Sequence, residues 1–237
     1  MKKIKTFFLK LLWPEVCPFC GRAFRRGICP SCRKKINRLV VEEPRCMKCG
    51  QPLAGNEEEY CADCGHTHHY YDRGYGLWLH RKPVSNSIYR FKFHNQRAFG
   101  AYYAQELAGW FEEELHRWAP DFLVPVPLHP KKERQRGYNQ ALILARELGR
   151  LTGIPVRDKL LRRVRYTTPQ KKLGHRDRRQ NLLGAFQASE PLEKGAVIVL
   201  VDDIYTTGNT ISAAAKALKE AGAEKVFFLT ISIGQGY

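Results

Sequence analysis

Two sets of residues in this chain have the types and the spacing to do chemistry. The first is a run of four Cys-x-x-Cys pairs, Cys17/Cys20, Cys29/Cys32, Cys46/Cys49 and Cys61/Cys64, and all eight cysteines lie before residue 65. Zn2+ favours four thiolates in a tetrahedron, and one Cys-x-x-Cys turn delivers two of them to a single ion. Four turns therefore suit two structural ions. Pairing in chain order puts Cys17, Cys20, Cys29 and Cys32 on one ion and Cys46, Cys49, Cys61 and Cys64 on the other; a crossed pairing has the same spacing. Redox-active dithiols are the weaker reading, because no thioredoxin-like βαβ pattern surrounds the pairs. His66, His68 and His69 follow the last pair and, with eight thiolates at hand, are expected at the surface. Cys49→Ser is expected to destabilise this module and to leave ligand binding elsewhere largely intact.

The second set lies between Val197 and Thr210. Val197 to Val201 are five apolar residues that read as a buried parallel strand. Asp202 and Asp203 are expected to close that strand. A loop with Thr206, Thr207, Gly208, Asn209 and Thr210 follows, and Ile211 to Glu220 reads as a helix stopped at Gly222. Strand, loop and helix in that order aim backbone N–H groups and a helix N-terminus at an anion. The loop has no lysine, which excludes a Walker-type phosphate loop. Ionised Asp202 and Asp203 are acceptors suited to two neighbouring hydroxyls. One phosphate and one diol together describe a ribose 5-phosphate. The plainer alternative is a Rossmann-like strand with a chance acidic pair and a threonine-rich turn.

The elements that must position these groups follow from periodicity. Tyr75 to Leu79 reads as a strand and Val84 to Phe93 as a helix or strand. Residues 98–118 read as one amphipathic helix with Ala104, Leu107, Trp110, Phe111, Leu115 and Trp118 on or near one face. Phe122 to Pro127 is the next strand, residues 129–140 a basic, glycine-containing loop with Arg134 and Arg136, and Asn139 to Leu151 a helix. Val226 to Ile233 supplies a last apolar strand. Strands alternating with helices imply an α/β fold with a mainly parallel sheet and ligand loops at the carboxyl ends of strands.

The chain has 237 residues and a formal net charge of +17, which points to polyanionic partners. That length accommodates one small appendage and one α/β domain. Cysteines confined to one end argue against the disulfide network of a secreted fold. Ile4, Phe7, Phe8, Leu11 and Leu12 fall on one helical face, read as a helix docked on the body rather than lying on a membrane. Lys10 interrupts that apolar run, no cleavage site follows, and no stretch reaches transmembrane length. A cytoplasmic protein is expected. Residues 157–179 carry ten lysines and arginines against two aspartates. Such a run is ordinarily a solvated face, and nucleic-acid contact is a competing use.

The segment from Val197 to Thr210 resembles the phosphoribosyl pyrophosphate (PRPP) signature of type I phosphoribosyltransferases. Val124-Pro125-Val126-Pro127, Arg136-Gly137-Tyr138-Asn139-Gln140 and the cysteine knuckles are similar to those of the ComF family of competence proteins. The resemblance implies a type I phosphoribosyltransferase fold over 70–237 and an N-terminal helix with a double zinc-ribbon module over 1–69. It also implies PRPP bound with Mg2+ and transfer of its phosphoribosyl group to an unknown nucleophile. Asp202 and Asp203 would hold the ribose hydroxyls, Thr206, Thr207, Gly208, Asn209 and Thr210 the 5-phosphate, and Arg134 and Arg136 the pyrophosphate. Residues 157–179 match a mobile lid, with Thr168-Pro169-Gln170 and Arg176 to Asn181 as its recognisable part. The alternative implied by the same resemblance is a single-stranded-DNA-binding competence protein regulated by PRPP and working with other competence proteins. Tyr205 departs from the aliphatic residue many type I enzymes carry, and its ring is expected to face the pocket.

Overall fold

The computed structural model describes residues 15–24, 27–55, 57–165 and 184–234. The helix expected around Phe7 and Leu11, and the stretch from Thr168 to Asn181 with Arg176, lie outside the described residues. Helix α1 (Pro30–Asn37) starts with proline at its first position and buries Cys32 and Ile36. One turn, α2 (Ala62–His66), sits at the last knuckle and leads to strand β1 (Arg73–Leu79). Val84, Ser87, Ile88 and Phe91 are buried at helical spacing, so α3 (Val84–Phe93) is a helix and not a strand.

Two helices, α4 (Phe99–Trp110) and α5 (Glu112–Trp118), replace the single helix expected over 98–118. The backbone leaves helical geometry at Phe111, with φ −118° and ψ 25°. The break lets the Phe111 ring stack on Tyr75 at 5.5 Å and leaves Trp110 52% exposed, off the buried stripe where it was expected. Strand β2 (Phe122–Pro125) stops two residues early.

The basic segment expected as a loop contains α6 (Pro130–Arg136). The His129 ring accepts the Lys131 N–H at 3.2 Å, Pro130 takes the first helical position, and Gly137 ends the helix at φ 82°. Asn139 then caps α7 (Gln140–Thr152) through the Ala141 N–H at 3.0 Å, and its amide donates to the Val126 carbonyl at 3.1 Å. Within the basic run, β3 (Leu161–Arg163) pairs antiparallel with β4 (Phe186–Ala188). The last unit is β5 (Val197–Tyr205), α8 (Asn209–Glu220) and β6 (Lys225–Ile233).

The main sheet has the order β1-β6-β5-β2, and every pair in it is parallel. Asp202 and Asp203 do not close β5 but lie inside it, because β6 continues pairing as far as Tyr205↔Ile233. Alternation sends Val199, Val201, Leu229 and Ile231 into one apolar layer and Ile198, Leu200, Val226 and Phe228 into the other. The cysteine module contributes to both layers. Cys17, Phe19, Cys32 and Ile36 pack in the first, and Val41, Cys46 and Cys49 in the second. Between them the chain runs along the outer strand: Leu79 N–H donates to Leu39 O at 2.7 Å and Val41 N–H to Leu77 O at 3.0 Å. The module thus straddles the β1 edge and covers backbone groups that would otherwise invite another strand.

Candidate functional site

The chain-order grouping of the cysteines is the one the fold adopts. Cys17, Cys20, Cys29 and Cys32 form one cluster and Cys46, Cys49, Cys61 and Cys64 another, the sulfurs of each lying within 4.8 Å of one another. Four sulfurs at about 2.3 Å from Zn2+ define a tetrahedron with edges of about 3.8 Å. The Cys20–Cys29 and Cys49–Cys61 sulfur separations are 3.8 and 3.6 Å. Both tetrads therefore fit a zinc ribbon, where the ion acts as a cross-link and not in redox chemistry.

His69 is not at the surface. It is 2% exposed, stacks on Tyr71 at 5.0 Å, and places Nε2 3.0 Å from Asp63 Oδ2 within the Cys61–Cys64 knuckle. The short crossing from that knuckle to β1 runs beneath the loop after β5, where the ring fills the space under Gly208. A Cβ on Gly208 would lie 3.1 Å from His69 Cε1 and 2.5 Å from the Tyr205 hydroxyl. Gly208 also has φ 69°, so glycine is required there for both backbone and space. Tyr205 does not face the pocket either. It is 2% exposed, and its hydroxyl is 2.7 Å from that of Tyr71. The Tyr70 N–H donates to Ser212 Oγ at 3.1 Å, a second link from the cysteine module to the start of α8.

The acidic pair sits inside β5, three and two residues before its carboxyl end at Tyr205. Asp203 is 3% exposed, with Oδ1 2.9 Å from Lys92 Nζ on α3. Its Oδ2 is buried with no hydrogen-bond partner among the described residues. Asp202 is half-buried, and its Oδ1 accepts the Asp203 backbone N–H at 2.8 Å. Burial, and then the Asp203 carboxylate, push Asp202 up to about 7, against the pull of Lys92 and Arg163. Burial lowers the Arg163 guanidinium on β3, opposed by Asp202. Lys132 on α6 is lowered by burial and by the nearby charges of Arg163 and Arg136. At the end of β6, Ser232 Oγ lies 2.9 Å from His80 Nδ1, and burial and Lys92 lower that imidazole against Asp203.

Among the expected anion ligands, Arg136 shares a face of α6 with Lys132, hydrogen-bonds Gln140 Oε1, and lies 4.9 Å over the Phe93 ring. Arg134 is exposed and stands about 200° around the helix from Lys132. The fold therefore brings Arg136, and not Arg134, beside Lys132 and Arg163. Gly208 and Asn209 are buried at the start of α8, Thr207 and Thr210 are half-buried, and Thr206 is exposed. Lys92, His80 and Lys132 were not singled out as site residues from the sequence, and Arg163 was read only as part of the basic run over 157–179. Lys132 had a signal, its spacing of four from Arg136 between a proline and a glycine that bracket a helix. Lys92 had none, being one lysine on an ordinary amphipathic helix.

This arrangement places two carboxylates, four cations and a tight hydroxyl-bearing loop around one end of a parallel sheet, the end at which such folds bind ligands. Residues 8–65 match the family model described as a double zinc ribbon domain, and residues 103–232 match the phosphoribosyl transferase domain. The chain is 32% identical over 207 residues to Competence protein F of Haemophilus influenzae, covering 85% of this chain and 88% of that protein. The chain belongs to the ComF family. This ComF-family chain is also 31% identical to the DNA utilization protein YhgH of Salmonella typhi, covering 90% of this chain and 94% of that one. Competence protein ComFC of Bacillus subtilis is 28% identical, over 82% of this chain and 79% of its own length. The sheet, β5 and the loop to α8 make up the phosphoribosyltransferase fold, and the tetrads belong to its zinc ribbons. Among the described residues no helix is long and apolar enough to cross a membrane.

Proposed function

We propose that this ComF-family protein binds PRPP with Mg2+ at the carboxyl end of β5 and transfers its phosphoribosyl group to a nucleophile. The acceptor atom forms a bond to the ribose anomeric carbon, and the bond from that carbon to the pyrophosphate oxygen breaks. Pyrophosphate leaves with the electron pair and the acceptor gives up a proton. The observation that carries this reading is Asp203, a buried carboxylate with one oxygen on Lys92 and the other unpartnered among the described residues. A buried acceptor left unsatisfied is costly, and a ribose hydroxyl donating to it would relieve that cost. Asp202 takes the neighbouring hydroxyl, and the loop from Thr206 to Thr210 takes the 5-phosphate. Arg136, Lys132 and Arg163 supply positive charge for the leaving group, the electrostatic contribution that loosens such a bond. Mg2+ would be held largely through substrate oxygens and water, beside the oxygen-only donors Asp202 and Asp203, and would neutralise pyrophosphate charge. The two tetrads hold one zinc ion each, in a cytoplasmic setting where thiolates stay reduced.

A second reading is favoured by the charge of +17 and by relatives named for competence and DNA utilization. The protein would receive single-stranded DNA, with PRPP as its regulator. Calorimetric titration with PRPP and Mg2+ tests the shared site. Asp203→Asn is expected to weaken binding by about 1–3 kcal/mol. Unchanged affinity in the double variant Asp202→Asn/Asp203→Asn would overturn the assignment. Pyrophosphate release across a panel of bases and amines then separates the transferase from the regulated binder.

A further inference from the structure

Helix α3 presents an aromatic face that the site chemistry does not use. Its apolar stripe of Val84, Ile88 and Phe91 is buried, yet Tyr89 and Phe93, one turn apart, are each 57% exposed. Their rings lie 5.0 Å apart, tilted by 48°, and the Tyr89 ring lies 5.5 Å from His94. Core packing explains Phe91, buried and 5.4 Å from Tyr103, but not its two exposed neighbours.

The chain segment that carries this face has side-chain charge of one sign. From Arg73 to Gln105 the chain contains six lysines and arginines and no aspartate or glutamate. The Arg136 guanidinium sits 4.9 Å over Phe93, and the exposed Arg97 sits 4.7 Å over Tyr138. Lys92, the residue before Phe93, holds Asp203, so the face borders the candidate site.

From this we infer that Tyr89 and Phe93 form a stacking platform for the bases of single-stranded DNA, with Arg97 at the strand's phosphates. The inference rests on the second reading above, that DNA is a partner. Bases of a single strand expose π-faces that a duplex keeps stacked internally, and exposed aromatics among cations are the usual means of holding them without sequence preference. A purely electrostatic surface would need the cations but not the rings.

The test uses the full chain, zinc-loaded, and fluorescence anisotropy with a labelled oligothymidylate and an abasic strand carrying the same number of phosphates. Wild type is expected to bind the oligothymidylate more tightly than the abasic strand. Tyr89→Ala should lower oligothymidylate affinity by roughly 5- to 150-fold, the range found on losing one base stack. It should leave abasic-strand affinity and the salt slope unchanged, because no phosphate contact is lost. Tyr89→Phe should retain binding, which separates the ring from the hydroxyl. Tyr89 is exposed and belongs neither to the cysteine tetrads nor to the candidate site, so zinc content and PRPP affinity should stay at wild-type values in both variants. Equal oligothymidylate affinity in wild type and Tyr89→Ala would overturn the platform while leaving DNA as a partner. Failure of wild type to bind either strand would overturn the DNA reading and the platform together.

Discussion

Replacing Tyr71 by phenylalanine tests whether the cysteine module and the loop after β5 are one mechanical unit. The two hydroxyls of Tyr71 and Tyr205 lie 2.7 Å apart, and Tyr71 and Tyr205 are 0% and 2% exposed. Burial raises both phenols far above their ordinary range, so each is neutral and one donates to the other. Tyr71→Phe leaves the Tyr205 hydroxyl in the core without that partner. Stranding a buried hydroxyl costs about 1–3 kcal/mol, whereas removing both partners of a pair is nearly neutral. Tyr71→Phe and Tyr205→Phe are therefore each expected to lower unfolding free energy by about 1–3 kcal/mol, and the double variant to cost less than the sum. The same cycle should appear in PRPP affinity, because the Tyr205 hydroxyl lies directly beneath Gly208 and ring movement would displace the loop. Urea denaturation and calorimetry measure the two quantities. Strictly additive single and double variants, in stability and in affinity alike, would refute the coupling.

Two further predictions concern the metal and the pH. Elemental analysis should return two zinc ions per chain, and Cys49→Ser should lower both zinc content and PRPP affinity. That departs from the expectation of a separable module, since Cys49 shares an apolar layer with Tyr71 and Tyr205; a variant with one zinc lost and unchanged affinity would contradict it. Asp202 has an ordinary value of 3.8 and is held up to about 7 in the fold. Its contribution to stability is full below the lower value and is lost as pH rises through the upper one. Binding should run the other way, because ribose hydroxyls need the ionised acceptor. PRPP affinity is expected to rise as pH passes through about 7, and Asp202→Asn to flatten that rise; a pH-independent wild type would count against this role for Asp202.

The amino-acid order alone determined several things about this protein, all of them through local physics. Cys-x-x-Cys turns place two thiolates together whatever surrounds them, so two tetrads were legible before any fold. The apolar run before Asp202 and the turn at Gly208 marked a strand–loop–helix unit, because burial and a positive φ both leave plain residue signatures. The prolines and glycine around residues 129–137 carried the helix signal as well, although the many charges between them looked like a loop. Tertiary structure decided the rest. Lys92 reaches Asp203, and Tyr71 meets Tyr205 from 134 positions away, only because parallel strands and their covering helices fold distant segments together. Alternation within β5 did not say which neighbour would extend it past the carboxylates; β6 did. Spacing could not tell that the tetrads would divide between the two faces of the sheet, since nothing local specifies which edge a small metal module lacking its own core will straddle. Which of Arg134 and Arg136 packs on the buried side of α6 followed from helix phase, which becomes meaningful only once the helix has a side that faces the rest of the fold.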